Sequence, residues 1–429
     1  MGARSILILS YLLLWSCGDQ PLLIALDDAG EQFVKLGLEL GEYDEAYVDS
    51  YVGPAEWQKH AQERLRSKEE LARATAKLLA TVEAIEPASQ QDALRRHLLA
   101  GKMRAMDARA RMLIGEKFTF AEEAKLLLDA NPTTADFAEF DRVLAEIDEI
   151  VSGKGDLNDR FDALRTSVVI SRDKLDVVFR RAIEECRQRT LGHIDLPEDE
   201  RFQLEYVSGV SWSGYLEYLG NHESLMSINT DVPMTLDSAV DLGCHEGYPG
   251  HHVYSLIVDQ RFLKVFDWVE FQLQPLFAPA SLFIEGSAEY AVALAFPGDE
   301  SLAFQRAVLA PLANIDAKNV EKWNEVVELY NRLNDHAASA IAQRYLDGEM
   351  TRDQALRASI KYRLRTPEEA ERGIRFIEGI GSYILTYSLG EEIVSTYIES
   401  QSDSHADKWV VFRRLIDEQP TATDLTRLH

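Results

Sequence analysis

The segment His245-Glu246-Gly247-Tyr248-Pro249-Gly250-His251-His252 places three of the chain's ten histidines and a glutamate within eight residues. In the common zinc motif His-Glu-x-x-His, two histidines four residues apart share one helical face, and the glutamate lies beside them as a general base. Here the position four residues after His245 is Pro249, which cannot bind a metal. The second histidine comes two residues late, so the segment holds either a modified zinc site or none.

Helix geometry decides what the two extra residues require. On an unbroken helix, His251 would lie about 120° around the axis from His245, and His252 would lie on the same face but about 10 Å further along. Neither histidine could then share a metal with His245. Proline removes a helical hydrogen bond and glycine tolerates unusual dihedral angles, so Pro249-Gly250 can interrupt the helix and bring the next turn back. We predict a break there with His251 as the second ligand. His252 remains the alternative ligand and is otherwise expected to support the ligands from behind.

A third ligand is expected on a later helix, because catalytic zinc sites use three protein ligands and a water. Glu285 and Glu289 are four residues apart within an apolar stretch and therefore share a helical face. We predict Glu285 as the ligand and Glu289 as the residue that orients a ligating histidine from behind. A pair of glutamates at this spacing is usually only a solvated acidic face, but here it accompanies a His-Glu pair and a Pro-Gly break.

The charge balance excludes some classes of partner. The chain has 429 residues, 72 acidic and 45 basic, for a formal net charge of -27. This balance argues against nucleic acid and against an anionic membrane surface as the main partner. The cysteines, Cys17, Cys186 and Cys244, are too few for a disulfide framework, so Cys244 is predicted to be a buried thiol.

The first seventeen residues have the pattern of an export signal. Arg4 precedes a mostly apolar run from Ile6 to Trp15, which is too short for a comfortable membrane span. Leu14-Trp15-Ser16-Cys17 resembles the lipobox of bacterial lipoproteins. We expect an exported protein of the periplasm or cell envelope, with possible membrane attachment through a lipidated Cys17.

Apolar spacing predicts a mainly α fold in which residues 18–197 form a helical region and residues 198–429 form a metal-binding catalytic region. We expect the two regions to pack together around one cleft. Residues 156–185 carry a long helical pattern that closes near Gly192, and a further helix is predicted from 234 to 246. Residues 203–207 and 224–230 are the predicted strands. The second of these is a candidate edge strand that could pair with an extended peptide.

The eight-residue motif resembles that of a bacterial family known as domain of unknown function 885, whose mark is His-Glu-x-x-Pro-Gly-His-His followed by a Glu-Gly-x-Ala helix. The resemblance extends to Tyr51-Val52-Gly53-Pro54 and to the stretch from Tyr206 to Asp231. That family is grouped with helical zinc metallopeptidases of the gluzincin type. The resemblance therefore implies a zincin-like helical fold with a small sheet beside the active-site helix.

The resemblance also implies roles for individual residues. Zn would be bound by His245, His251 and Glu285, and Glu246 would take a proton from the attacking water. Late in the chain, Tyr387 matches a residue that could donate to the oxyanion and Arg375 one that could hold a substrate carboxylate, although helix-packing roles remain open for both.

The implied substrate is a short peptide. Two other functions fit the same residues, namely a zinc hydrolase of a non-peptide amide and a binding lipoprotein without enzymatic activity.

Overall fold

The structure is mainly helical, which confirms the predicted fold class at that level. It is a computed structural model that describes residues 26–133 and 135–427. The predicted signal segment, with Cys17, lies outside the described residues. Before residue 197 the elements are α1 (Leu26–Gly41), β1 (Val48–Tyr51), α2 (Ala55–Glu63), α3 (Lys68–Ala84), α4 (Gln90–Leu113), α5 (Phe120–Leu128), α6 (Phe137–Ile150), α7 (Leu157–Thr166) and α8 (Leu175–Leu191).

The second part of the chain adds the small sheet and the helices around the histidine segment. The strands are β2 (Arg201–Val207), β3 (Gly214–Gly220), β4 (Glu223–Asn229) and β5 (Leu273–Pro275). The helices are α9 (Leu236–Leu242), α10 (His251–Val258), α11 (Pro279–Ala295), α12 (Glu300–Phe304), α13 (Ala310–Ala313), α14 (Ala317–Leu346), α15 (Arg352–Tyr362), α16 (Pro367–Ile380), α17 (Leu385–Ser400), α18 (His405–Glu418) and α19 (Ala422–Arg427). No helix among the described residues is both long and apolar enough to cross a membrane.

Many of these helices begin at a side chain that satisfies the free backbone amides of the first turn. In a capping box, a serine or threonine accepts from the amide three residues later, and the glutamate or glutamine there accepts from the cap's own amide. Such boxes form at Ser67 with Glu70, Thr119 with Glu122, Thr351 with Gln354, and Thr366 with Glu369.

The strand predicted at 224–230 is present as β4, but the prediction that it forms a sheet edge is wrong. The strand order is β2-β4-β3, with β4 parallel to β2 and antiparallel to β3. The β3–β4 hairpin turns through Asn221 and His222, both at positive φ. Two such residues form the type I′ turn that suits a tight hairpin. β3, which the strand pattern missed, is therefore an edge strand.

A second, two-stranded sheet was also missed. β1 pairs antiparallel with β5, across more than 200 residues of sequence. β1 falls in the segment that leads into the Gly53-Pro54 breaker, and β5 has three residues, so neither carries a recognisable local pattern.

The helix predicted over 156–185 is interrupted. α7 ends at Thr166 and α8 begins at Leu175, and between them the Ile170 amide donates to the Met234 carbonyl over 2.8 Å. Val168 and Ile170 are buried, so their apolar character continues the helical pattern although the backbone there forms a turn and an isolated bridge from Val169 to Thr235. Tertiary contacts therefore override the local periodicity here.

Cys244 is not a free thiol, contrary to the prediction. It forms a disulfide with Cys186 of α8, across a sequence separation of 58 residues. Both cysteines are fully buried. The bond ties α8 directly to the residue that precedes His245.

Two hydrophobic cores support the fold. One is built around α6 to α11 and α14, and the other around α1, α3, α4 and α5 with the first turns of α17. Each core contains side chains from both sides of residue 197. The helices before residue 197 and the rest of the chain thus pack against each other, and the boundary at 197 stays a prediction.

Candidate metal site and cleft

The two predicted histidines and Glu285 meet at one point. Nε2 of His245 lies 3.1 Å from Nε2 of His251, and each of these atoms lies 3.5 Å from an oxygen of Glu285. The three possible ligand atoms all lie within 4.8 Å of one another. Two imidazole nitrogens and a carboxylate oxygen form a donor set typical of catalytic zinc sites, so these residues fit the predicted metal.

The predicted break at Pro249-Gly250 is confirmed and explains how His251 reaches His245. After α9 the chain forms a π-helical turn, Gly243–Gly247, and α10 begins at His251. The Tyr248-Pro249 peptide bond is cis. The Gly250 amide donates to the Cys244 carbonyl over 2.9 Å, which folds the segment back against the π turn.

Gly250 is required by this fold-back. A Cβ at residue 250 would lie 1.7 Å from the His245 carbonyl oxygen and 2.5 Å from that of Cys244. Real Cβ atoms do not approach so closely, and both neighbours are backbone. Only glycine can therefore bring the start of α10 against the turn that carries His245.

Glu285 is positioned by a backbone contact between α11 and α17. A Cβ on Gly286 would lie 2.3 Å from the Gly390 carbonyl carbon, and one on Gly390 would lie 2.7 Å from the Leu282 oxygen. The two helices can approach this closely because neither glycine has a side chain. The contact brings Tyr387, one turn before Gly390 on α17, towards Glu285.

Two further side chains hold the proposed ligands in place. Oε1 of Glu289 lies 3.4 Å from Nδ1 of His245, which leaves Nε2 of that imidazole directed at His251 and Glu285. The Tyr383 hydroxyl donates to Oε1 of Glu285 over 2.7 Å. Sequence reasoning predicted the first contact and missed the second, since Tyr383 has no local signal that points to a glutamate 98 residues earlier.

His252 faces away from this cluster. Its Nε2 lies 3.1 Å from Oε2 of Glu200, and its Nδ1 lies 2.8 Å from the Ser224 hydroxyl on β4. Burial lowers the pKa of His252, so the ring is neutral: Nε2 donates to the carboxylate and Nδ1 accepts from the hydroxyl. Both nitrogens are occupied. The geometry therefore favours His251 as the second ligand, and His252 links α10 to the sheet instead of supporting the ligands.

Opposite charges reinforce the contact between Glu285 and His251. Burial alone would raise the pKa of Glu285, but the charge of His251 and hydrogen bonds from both histidines hold it well below its usual range. Burial likewise disfavours the charged form of His251, yet Glu285 and Glu246 raise its pKa to about 9. The carboxylates around His251 therefore stabilise a positive charge at this site, as a cation site requires.

Two more carboxyl groups lie beside the cluster, of which Glu246 is buried and Asp49 is half-buried. Burial raises the pKa of Glu246, and His245 and His251 partly oppose that rise. Burial also raises the pKa of Asp49, to about 7, with the charge of His251 opposing. Asp49 lies on β1, a strand that the sequence did not predict. Its position beside the cluster was therefore not predicted either.

One cavity of about 820 Å³ lies between β1, β3, α11 and α16, and it is lined by His245, His251, Glu285, Glu246, Glu289 and Asp49. Tyr387 lines it, with its ring centroid 6.0 Å from that of Tyr383. Burial and the charges of Glu285 and Glu289 raise the pKa of Tyr387 well above its usual value, so it remains a hydroxyl donor. Arg375 also lines the cavity, but its side chain is 56% exposed and its Nη1 lies 3.6 Å from Glu371.

Comparison with solved structures shows that this fold occurs elsewhere. The chain is similar to "the putative lipoprotein from Colwellia psychrerythraea", with a TM-score of 0.51 and 16% identity over 95% of this chain and 76% of that one. A second structure, described as "a putative lipoprotein of unknown function from Shewanella oneidensis", gives a TM-score of 0.49 and 13% identity over 96% of this chain and 79% of that one. No protein-family model matches the sequence, and no curated protein matches it either.

Proposed function

We propose that this protein is an exported zinc metallopeptidase that hydrolyses short peptides, built on a zincin-like helical fold. The observation that carries the proposal is the convergence of His245, His251 and Glu285 beside Glu246 in one cavity. Three protein ligands that face an open cavity are typical of catalytic zinc sites, whereas structural sites are closed by four.

Metal binding and proton transfer are assigned to different residues of the site. His245, His251 and Glu285 would hold the zinc, which when bound supplies positive charge that acidifies water, polarises the scissile carbonyl and favours the ionised form of Glu246. Glu246 takes a proton from the water as its oxygen adds to the carbonyl carbon. When the C–N bond breaks, Glu246 passes that proton to the leaving amine.

Tyr387 and β3 have supporting roles in this mechanism. The Tyr387 hydroxyl donates to the carbonyl oxygen while negative charge develops there. β3 is an edge strand, and Gly214, Tyr215 and Leu216 line the cavity, so it replaces β4 as the strand against which an extended peptide could lie. That Arg375 holds a substrate carboxylate stays a prediction.

Two features support export. The Cys186–Cys244 disulfide is typical of proteins outside the reducing cytoplasm. The fold is shared with a protein described as a lipoprotein, in agreement with the lipobox predicted around Cys17. We therefore propose a periplasmic or cell-envelope location.

The test combines zinc content with cleavage of a short-peptide library. Wild type should bind one zinc per chain and cleave peptides. Glu246→Gln should retain the zinc and lose at least about 1,000-fold in kcat, because the general base is removed while the ligands remain. Glu325→Gln, an exposed glutamate on α14, is the matched control and should behave as wild type.

Other outcomes separate the rival functions. Stoichiometric zinc without cleavage of any peptide would contradict the peptidase proposal and favour a hydrolase of non-peptide amides. Absence of zinc binding would contradict the proposed enzymatic activity altogether and favour a binding lipoprotein.

A further inference from the structure

Two arginines, Arg363 and Arg365, face the same cavity as the metal site. They lie in the turn between α15 and α16, on either side of Leu364. Leu364 is buried and has a φ of 46°, a left-handed backbone that a leucine rarely adopts. The turn thus directs Leu364 into the core while both arginine side chains line the cavity.

The two guanidinium groups converge on a single neutral atom. Nε of Arg363 donates to Oδ1 of Asn334 over 3.0 Å, and Nη2 of Arg365 donates to the same oxygen over 3.2 Å. Nδ2 of Asn334 donates to Oδ1 of Asp335 over 2.7 Å, which fixes the orientation of the amide. One amide oxygen cannot satisfy two guanidinium groups, each of which has five N–H donors.

These arginines lack the carboxylate partners that other arginines in this region have. Within residues 26–133 and 135–427, no carboxylate oxygen lies within 4.0 Å of a nitrogen of Arg363 or Arg365. The nearby Glu369 lies 3.0 Å from Arg165, and Glu371 lies 2.6 Å from Arg352. Asp335 and Glu369 attract the pair from beyond contact distance, so the two guanidinium groups have no carboxylate in direct contact although the chain has a net charge of -27.

The electrostatic cost of this arrangement is visible at Arg363. Burial, and then the positive charge of Arg365, lower the pKa of Arg363 to about 10, although the charges of Asp335 and Glu369 partly oppose this shift. An anion bound between the two groups would offset the remaining repulsion.

The arginine pair and the proposed metal ligands line the same cavity. A cavity of 820 Å³ accepts a ligand the size of a short peptide, which can extend from one group of residues to the other.

We propose that Arg363 and Arg365 bind a carboxylate of the substrate, and that the enzyme therefore selects short peptides that carry this group near the scissile bond. Guanidinium groups pair with carboxylates through two parallel hydrogen bonds, so two of them form a strong and directional site. The inference rests on the proposed peptidase function. The carboxylate is either the C-terminal one or that of an acidic side chain.

The test compares three probes: Ala-Ala-Ala with a free C-terminal acid, Ala-Ala-Ala amide, and Ala-Asp-Ala amide. Binding is measured by calorimetry on zinc-loaded Glu246→Gln, and kcat/KM on wild type. At least one carboxylate probe should exceed Ala-Ala-Ala amide by about 10- to 100-fold, since charge-assisted hydrogen bonds contribute about 1.5–3 kcal/mol. A preference for the free acid identifies the C-terminal carboxylate, and one for Ala-Asp-Ala amide identifies a side chain.

The same measurements on variants assign the effect to the arginines. Arg365→Gln should remove most of the preference and leave Ala-Ala-Ala amide unchanged, and Arg365→Lys should restore part of it. Arg306→Gln, which breaks an exposed ion pair with Glu321, is the matched control. Arg363→Gln is informative only if its melting temperature stays near that of wild type, because Nε of Arg363 also holds Asn334.

The outcomes distinguish this inference from the proposed function. Cleavage without discrimination between acid and amide probes would overturn the inference and leave the peptidase intact. An equal loss for all probes in Arg365→Gln would also overturn it. Selective binding of a carboxylate probe without cleavage would support the anion site and count against the peptidase.

Discussion

Gly250 lies against the backbone of His245, so closely that a Cβ at residue 250 would come within 1.7 Å of the His245 carbonyl oxygen. The contact joins the π-helical turn that carries the first histidine to the helix that begins at the second. The insertion of two residues into the zinc motif is therefore structurally compatible with a metal site only because residue 250 has no side chain.

The first prediction follows from that contact. Gly250→Ala should separate His251 from His245 and weaken zinc binding by at least about 100-fold, since one of three ligands leaves its position. Zinc affinity is measured by competition with a chelator. Gly379→Ala on α16, where an added Cβ meets no atom within 4 Å, is the control and should keep full affinity. Unchanged zinc affinity in Gly250→Ala would contradict the assigned ligand geometry.

The adjacent histidines give the second prediction. His251→Ala should abolish stoichiometric zinc binding, because its Nε2 faces His245 and Glu285. His252→Ala should keep the zinc but lower the free energy of unfolding by about 2–3 kcal/mol, because it leaves the buried carboxylate of Glu200 with fewer partners. Zinc content and urea unfolding separate the two effects. The reverse pattern, zinc lost only in His252→Ala, would show that the wrong histidine has been assigned.

The two tyrosines near Glu285 give the third prediction. Tyr383→Phe removes a hydrogen bond to a ligand, so zinc affinity should fall by about 10- to 100-fold. Tyr387→Phe should leave zinc affinity unchanged but lower kcat by about 100- to 1,000-fold, as expected for the loss of an oxyanion donor. Each variant is the control for the other. If Tyr387→Phe lost only stability, its role would be helix packing.

The sequence predicted the residues that meet at the candidate metal site because their signals are local. His245, Glu246 and His251 lie within seven residues, and Pro249-Gly250 marks the break between them. A spacing of four residues then identifies the Glu285 and Glu289 pair as one helical face. Each of these inferences needs only the geometry of a single helix or turn.

The groups that surround the ligands could not be found in this way. The hydrogen bond from Tyr383 to Glu285 and the convergence of Arg363 and Arg365 on Asn334 depend on how distant helices pack. Tyr387 was predicted from the sequence, but only the three-dimensional packing shows that Tyr383, four residues earlier, contacts Glu285. Local patterns carry no information about such contacts.

The order of the strands in the sheet was likewise not predictable from local sequence patterns. β4 has the alternation of a strand, yet whether a strand is central or at an edge depends on partners elsewhere in the chain. A hairpin signal was present, since Asn221 occupies a turn position that favours positive φ. Recognition of that turn would have identified β3 as one partner of β4, but the parallel pairing of β4 with β2, which makes β4 central, carries no local signal.

The last prediction concerns pH. Glu200 accepts from Tyr248 over 2.8 Å and from Arg187 over 2.8 Å, in addition to His252. Burial would raise the pKa of Glu200, but these partners lower it from 4.5 to about 2. A carboxyl group whose pKa is lower in the folded state stabilises the fold fully above the unfolded pKa of 4.5, and this stabilisation is lost as the pH falls towards 2.

The free energy of unfolding of Glu200→Gln should therefore be about 2–3 kcal/mol lower than that of wild type between pH 5 and 8. This difference should shrink steadily below pH 4.5. Urea unfolding of the metal-free protein at each pH measures this, because zinc release then contributes nothing. Glu198→Gln, an exposed neighbour, should match wild type at every pH. A difference that stayed constant from pH 7 to pH 3 would mean that Glu200 stabilises the protein by packing and not through its charge.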